Sequence, residues 1–411
     1  MNRASRVTRA ARLALTCLIP WLAGACVHVW SSDSRTDTAS TGSRQAADAR
    51  TEADLRRAVA DAERFGPDDP RVATSLNALG GFYASHGHPA QAEPLYRRAL
   101  EIRERALGPN HPDVVASLNN LAGLYVLEQR FGEAEPLYQR ALQMNERLEG
   151  VDAASTGIIL KNLASLYISQ GSYGNAEQAY QRLVRIREKT LGSSHPDLAA
   201  ELNNLGELYR LQGKNVEAER VYRRAAALRD TGPTSADPQL AIILRNLASL
   251  YAAEGRYAEA EPLFERVVVI RQGGLGPGNP DLAVSLTDLA GIYVLQGKPA
   301  QAESRYRRAL EIRERALGSS DLRVASSLHS LAYFYATHGR PADAEPLYQR
   351  ALRIRERAAG PKSPALAPTL KDYAALLHAS GREKEAQALE ARMAALQSEP
   401  APTGSAPGAS R

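Results

Sequence analysis

Seven asparagines recur in register along this chain: Asn77, Asn119, Asn120, Asn162, Asn203, Asn204 and Asn246. Each falls one or two places after a leucine that returns every 42 residues, running Leu76, Leu118, Leu160, Leu202, Leu244, Leu286, Leu328 and Leu370. A side-chain amide carries a donor and an acceptor, the complement of a peptide unit. Asparagine is a mediocre helix former because that amide competes for backbone hydrogen bonds, so a row of them inside helices needs a reason. Three reasons stay open: recognition of another polypeptide, side-chain bonds between adjacent helices, or inheritance through repeat duplication. Lys161 and Arg245 occupy the same positions, and Arg210 lies further along its own helix. With Lys371 and His329 they favour a ligand with carboxylates, although Glu207, Asp288 and Asp372 share the surface.

No other set of residues is spaced for chemistry. His86 and His88 flank a turn glycine with no carboxylate recurring beside them, a poor start for a metal site. His111 and His195 precede proline at equivalent points and read as helix caps. Ser194 and His195 lack a positioned acid, so a serine hydrolase is not assembled. No glycine loop of the P-loop or dinucleotide type occurs. Both cysteines, Cys17 and Cys26, lie near the start, which excludes disulfides, thiolate zinc sites and a cysteine nucleophile from the repeats. The expectation is a chain that is not an enzyme and carries no cofactor or metal.

The elements that would position the asparagines are legible from the repeat. A fixed period in the range of about 20–50 residues marks a stack of units, each too small to bury its own apolar face. In the first half of each unit, residues such as Leu76, Leu79, Gly80 and Tyr83 make one helical stripe; in the second half Ala92, Tyr96, Ala99 and Leu100 make another. Between them Gly87 recurs as Gly171, Gly213, Gly255, Gly297, Gly339 and Gly381, supplying the left-handed residue of a helix end. Unit two has Gln129 there, so its turn is expected to be built another way. Pro70, Pro112, Pro196, Pro238, Pro280 and Pro364 are expected at the first helical position, each behind a residue such as Asp69 or His111. Unit seven keeps only Asp321, and unit three has only Asp152, Ser155 and Thr156 nearby, the weakest start. The recurring tyrosines, Tyr83 to Tyr335, are core positions, and runs such as Arg103-Glu104-Arg105 read as solvated helix faces.

Segments such as LNNLAGLYVLEQRFGEAEPLYQRALQMNERL (118–148) and EPLYRRALEIRERALGPNHPDV (93–114) resemble tetratricopeptide repeats, in the long variety found in kinesin light chains. The resemblance covers roughly residues 51–397. It implies an all-α fold, a right-handed α-solenoid of about eight antiparallel helix pairs, with the first helices lining a concave surface. It also implies that Asn77, Asn119, Asn120, Asn162, Asn203, Asn204 and Asn246 bind the backbone of an extended peptide lying in that groove, where Lys161, Arg210 and Arg245 stand beside them. The partner is thus a protein or peptide. A structural role in an envelope machine, using the convex face, and a regulatory subunit of a separate enzyme are the alternatives.

The two ends differ from the repeats. Arg3, Arg6, Arg9 and Arg12 precede an apolar run from Leu13 to Ala25, the pattern of a signal peptide over 1–25 and too short to span a bilayer comfortably. Leu22-Ala23-Gly24-Ala25-Cys26 resembles a bacterial lipobox, departing from it at Ala23. That resemblance implies lipid attachment at Cys26, contact with the membrane through the N-terminal lipid only, and a place in the cell envelope, with Val27 favouring the outer membrane; plain cleavage and a retained anchor stay open. Residues 26–50 read as a flexible tether, 51–65 as a capping helix, and 398–411 as a disordered tail. Glu390 in unit eight replaces a core aromatic, as suits a terminal repeat. Without 1–25 the formal charge of +5 falls by four arginines, leaving no electrostatic footprint for nucleic acid. Softer joints are expected at 230–237 and at 273–279, where Gly273, Gly274 and Gly276 cluster.

Overall fold

A computed structural model describes residues 41–398 of the chain, and all regular elements among them are helices. The expected signal peptide over 1–25, Cys26 with its expected lipid, and residues 399–411 of the expected tail lie outside the described residues. The helices fall into two compact units that divide at Arg229/Asp230, beside the expected joint over 230–237.

In the first unit, α1 (Thr41–Glu63) precedes four hairpins: α2 (Pro70–Ser85) with α3 (Pro89–Leu107), α4 (Pro112–Leu127) with α5 (Phe131–Glu149), α6 (Ala154–Ser169) with α7 (Tyr173–Leu191), and α8 (Leu198–Leu211) with α9 (Asn215–Arg229). In the second unit the hairpins are α10 (Pro238–Ala253) with α11 (Tyr257–Leu275), α12 (Leu282–Leu295) with α13 (Pro299–Leu317), α14 (Leu322–Thr337) with α15 (Pro341–Ala359), and α16 (Ala367–Ala379) with α17 (Glu383–Ser398). Within each unit every helix packs on the one before and the one after it, and first helices also touch the first helix of the next hairpin, the neighbour packing of a solenoid. No helix among the described residues is long and apolar enough to cross a membrane.

The marker leucines are the core. Leu118, Leu328 and Leu370 are wholly buried, and Leu76, Leu160, Leu202 and Leu286 nearly so. Several glycines, Gly206 and Gly80 among them, sit where a side chain would crowd its neighbours. A Cβ on Gly206 would lie 2.7 Å from the Tyr222 ring, and one on Gly80 would lie 2.9 Å from Tyr96.

Several expectations need correction. The first helix begins at Thr41, well inside the expected tether, and its Leu55 and Val59 pack on the cores of the hairpins that follow. The turn of unit two is the same turn as elsewhere: Gln129 itself takes the left-handed conformation (φ 60°), and Arg130 N donates to Tyr125 O at 2.8 Å. Behind Pro196 and Pro280 the α-helix starts only at Leu198 and Leu282, although His195 and Asn279 accept from the next-but-one backbone N–H just as His111 does ahead of Pro112, where the helix begins at the proline. Unit three lacks a cap, as expected: Ala153 offers no side chain, and Asn145 Nδ2 instead holds Ser155 Oγ (2.8 Å) and Thr156 Oγ1 (3.0 Å).

Arg103 is the largest correction. It is not solvated but 7% exposed, and Arg313 shares that burial. Arg103 Nη1 donates to Ser117 Oγ (2.8 Å) and Asp113 O (3.1 Å); Arg313 Nη1 donates to Ser327 Oγ (2.8 Å) and Arg323 O (3.1 Å). Arg355 reaches Thr369 in the same way. One face of each of these second helices therefore holds an arginine that ties it to the next first helix, while its neighbours Glu104 and Arg105 point to solvent-exposed ion pairs.

Two further ties repeat. Glu93 of α3 accepts from Tyr125 Oη (3.0 Å) and Arg130 Nη1 (2.7 Å) of the next unit, and Glu303 and Glu345 make the same clasp with Tyr335 and Arg340, and with Tyr373 and Arg382. Along the second helices, Arg140 meets Glu104, Arg182 meets Glu146, and Arg350 meets Glu314. At the second expected joint this column changes, because Gln272 stands where a glutamate would and Arg308 turns to Glu311 of its own helix (2.7 Å). Gly274 has a packing reason: a Cβ there would meet Ala236 O at 2.9 Å.

Candidate peptide-binding face

The asparagine positions lie on the first helices, away from the second helices that back them. In the first unit that face presents residues at helical spacing: Ala116, Asn120, Gly123 and Leu127 on α4, then Ile158, Asn162, Ser165 and Ser169 on α6. Asn120, Leu127 and Ile158 are exposed. A shallow hollow of about 420 Å³ near Arg97, Tyr125 and Pro136 includes none of the ladder residues.

Part of the ladder closes on itself through side-chain bonds between adjacent helices. The residue one after the marker leucine of one hairpin meets the residue two after the marker of the next. Asn162 Nδ2 donates to Asn119 Oδ1 at 2.8 Å. In the second unit Arg245 Nε donates to Asp288 Oδ2 at 2.7 Å, and His329 Nε2 lies 3.1 Å from Asp372 Oδ2. These rungs join positions 43 apart, and the charge complementarity of Arg245 with Asp288 is the signal for them in the sequence.

Within the first unit the rungs are not all closed. Asn77 Nδ2 turns to Ser117 Oγ (3.4 Å) instead of to Asn120. The Asn120 side chain has no hydrogen-bond partner among the described residues, and neither do those of Lys161 and Asn204, which would form the rung above. Asn203 and Asn246 are half-buried and each engaged.

The expected cations divide. Arg210 is neutralised by Glu207 (Nε to Oε2, 3.0 Å), which also accepts from Tyr222 Oη (3.1 Å). Arg245 is held by Asp288, whose charge keeps the guanidinium pKa above its usual value. Neither is a free cation for a ligand carboxylate. Lys161 is half-buried, and its ammonium has no partner among the described residues.

His86 and His111 make contacts within the fold. His86 stacks on Phe82 with ring centroids 4.0 Å apart, and His111 Nδ1 accepts from Asp113 N at 3.2 Å. No group of three metal-ligating side chains comes together among the described residues.

A family model described as tetratricopeptide repeat matches residues 49–105, 89–147, 155–231, 239–315 and 323–398. The chain belongs to the tetratricopeptide repeat family. Tetratricopeptide repeats build scaffolds for protein–protein interaction, and the paired helices and open face described above are of that kind. Among solved structures, the chain is similar to BtubC (BKLC) from P. vanneervenii, with 26% identity over 61% of this chain and 98% of that one and a TM-score of 0.46. It is similar also to a putative kinesin light chain with nearly identical TPR-like repeats from Podosopora anserina, with 26% identity over 49% of this chain and 96% of that one and a TM-score of 0.44. No curated protein matches its sequence.

Proposed function

We propose that this tetratricopeptide repeat protein is a non-catalytic scaffold that holds an extended peptide or partner segment on the first-helix face of its first unit. One observation carries the reading: Asn120, Lys161 and Asn204 stand in register on that face, their side chains without a hydrogen-bond partner among the described residues. An amide or ammonium without a partner loses its hydration when anything covers it, so a ligand that bonds to it is favoured over one that does not. Two amides suit the donor and acceptor of an extended backbone, and Lys161 suits a carboxylate side chain between them. A few such bonds, at about 0.5–1.5 kcal/mol each and less the ordering of the peptide, give roughly micromolar affinity. That strength fits assembly and exchange better than permanent capture.

Photoreactive residues placed at 120, 161 and 204 should crosslink the partner, while the same residue at Arg97 or Arg223 on the second helices should not. Crosslinking at the second helices alone would overturn the assignment of the face and favour the assembly role.

The scaffold is further proposed to work in the bacterial cell envelope, exported by residues 1–25 and held by a lipid on Cys26, with the outer membrane favoured. The cationic start, the apolar run and the lipobox-like Leu22–Cys26 support this. Labelled fatty acid should enter the wild-type chain and be lost with Cys26→Ser; labelling retained by that variant would reject the anchor.

A further inference from the structure

Each second helix in the first unit sends a tyrosine through the stack toward the open face: Tyr96, Tyr138, Tyr180 and Tyr222. Tyr138 is 3% exposed and Tyr96 6%, yet the hydroxyl of neither has a hydrogen-bond partner among the described residues. Nor is either oxygen among the enclosed polar atoms, so each opens outward through a gap. The gap is made by glycine. Tyr138 Oη lies 3.4 Å from where a Cβ on Gly123 would sit, and Tyr96 Oη lies 3.5 Å from the equivalent point on Gly81. Both glycines are part-exposed on the first helices, and Gly123 is one turn from the unpartnered Asn120.

The fourth hairpin shows the same device closed. There Glu207 occupies the position of Gly123, and its carboxylate accepts from Tyr222 Oη. A buried phenol needs an acceptor, and where the first helix supplies none something above the face must.

We infer that Gly123 and Tyr138 form a notch in which the backbone carbonyl of a docked extended peptide accepts from Tyr138 Oη, while Asn120 engages the peptide unit beside it. Gly81 and Tyr96 repeat the notch one unit earlier. Missing side chains at Gly81 and Gly123 let a backbone approach the helix closely, as glycine does wherever two chains must come near. The phenol donates, since burial holds its pKa above the usual value and keeps the proton on. Extended chain is the occupant that fits, because it offers carbonyls without bulk. This deepens the reading proposed above and rests on it.

The test uses the full chain and a displayed library of random short peptides, from which one selected peptide is synthesised and its affinity measured. Tyr138→Phe removes a hydroxyl that bonds to none of the described residues, so the melting temperature should stay unchanged while affinity falls about threefold to tenfold. Gly123→Ala should keep or raise stability, as helix propensity favours alanine, and lose more affinity by filling the notch. Tyr222→Phe, whose hydroxyl is already accepted by Glu207, should leave affinity unchanged. Binding that is lost on Asn120→Ala with Asn204→Ala but kept by Tyr138→Phe and Gly123→Ala would overturn the notch alone. A library that yields no peptide sensitive to any of these substitutions would overturn the notch and the face together.

Discussion

Arg103 Nη1 donates to Ser117 Oγ across 2.8 Å, joining the second helix of one hairpin to the first helix of the next inside the core. No carboxylate among the described residues bonds to this guanidinium, and desolvation lowers its pKa below the ordinary value without discharging it. The cation is thus held by neutral oxygens, Ser117 Oγ and Asp113 O. Ser117→Ala should cost about 1–3 kcal/mol, because the group left short of a partner is charged and buried. Urea unfolding of the full chain checks this. Ala116→Ser, at the exposed position next to it, is the control and should be near neutral.

Gln129 holds a left-handed backbone that glycine holds at the other hairpin turns. A side chain there costs roughly 1–2 kcal/mol in sterics, partly offset by the larger entropy that glycine loses on folding. Gln129→Gly should therefore stabilise the chain by about 0.5–1 kcal/mol. Thermal or urea unfolding that finds the variant weaker would mean the glutamine side chain contributes a contact that outweighs its strain.

Glu93 joins two hairpins through Arg130, Arg97 and Tyr125, and the Arg130 guanidinium is the first cause that holds its pKa down to about 2. The sign follows directly. A carboxylate whose folded pKa is depressed contributes stability that is present above the unfolded value near 4.5 and lost as pH falls toward about 2. Glu93→Gln should be the less stable protein above about pH 4.5 and should lose less stability than the wild type as pH falls toward about 2, while the two should show parallel pH dependence above about pH 6. Circular dichroism against pH, read on both proteins, makes the comparison.

His378 closes the last hairpin in the opposite sense. Its Nδ1 lies 2.8 Å from Glu383 and its Nε2 lies 3.0 Å from Glu390, and both carboxylates raise its pKa, Glu383 first. That contribution is fully present below about pH 6.5 and is lost as pH rises through the raised folded value. Amide exchange of α17, corrected for intrinsic rate, should show more opening as pH rises through this window, and His378→Gln should abolish the change.

Much of the architecture is written in the period. The marker leucines, the turn glycines and the hairpin count need only spacing, because a 42-residue beat leaves one arrangement in which every apolar stripe is covered. What spacing hides is polar. Arg103 looks like any charged residue of a helix surface, and only the neighbouring first helix reveals that its column lies inside. The same holds for the ladder. Asn119 and Asn162 look equivalent to Asn120 and Asn204, yet the first two satisfy each other and the last two have no partner among the described residues. A rung links residues 43 apart, so its existence depends on the stagger between hairpins and not on either sequence position alone. Gly123 passes as a small residue of the stripe because the tyrosine behind it comes from another helix.

The most direct measurement is the affinity of a library-selected peptide for the wild-type chain and for the triple variant Asn120→Ala, Lys161→Ala and Asn204→Ala, with unfolding curves for both. The three side chains bond to none of the described residues, so the variant should keep its stability and lose at least about tenfold in affinity. Equal affinity for the two proteins, with stability unchanged, would contradict the docking of a peptide on this face.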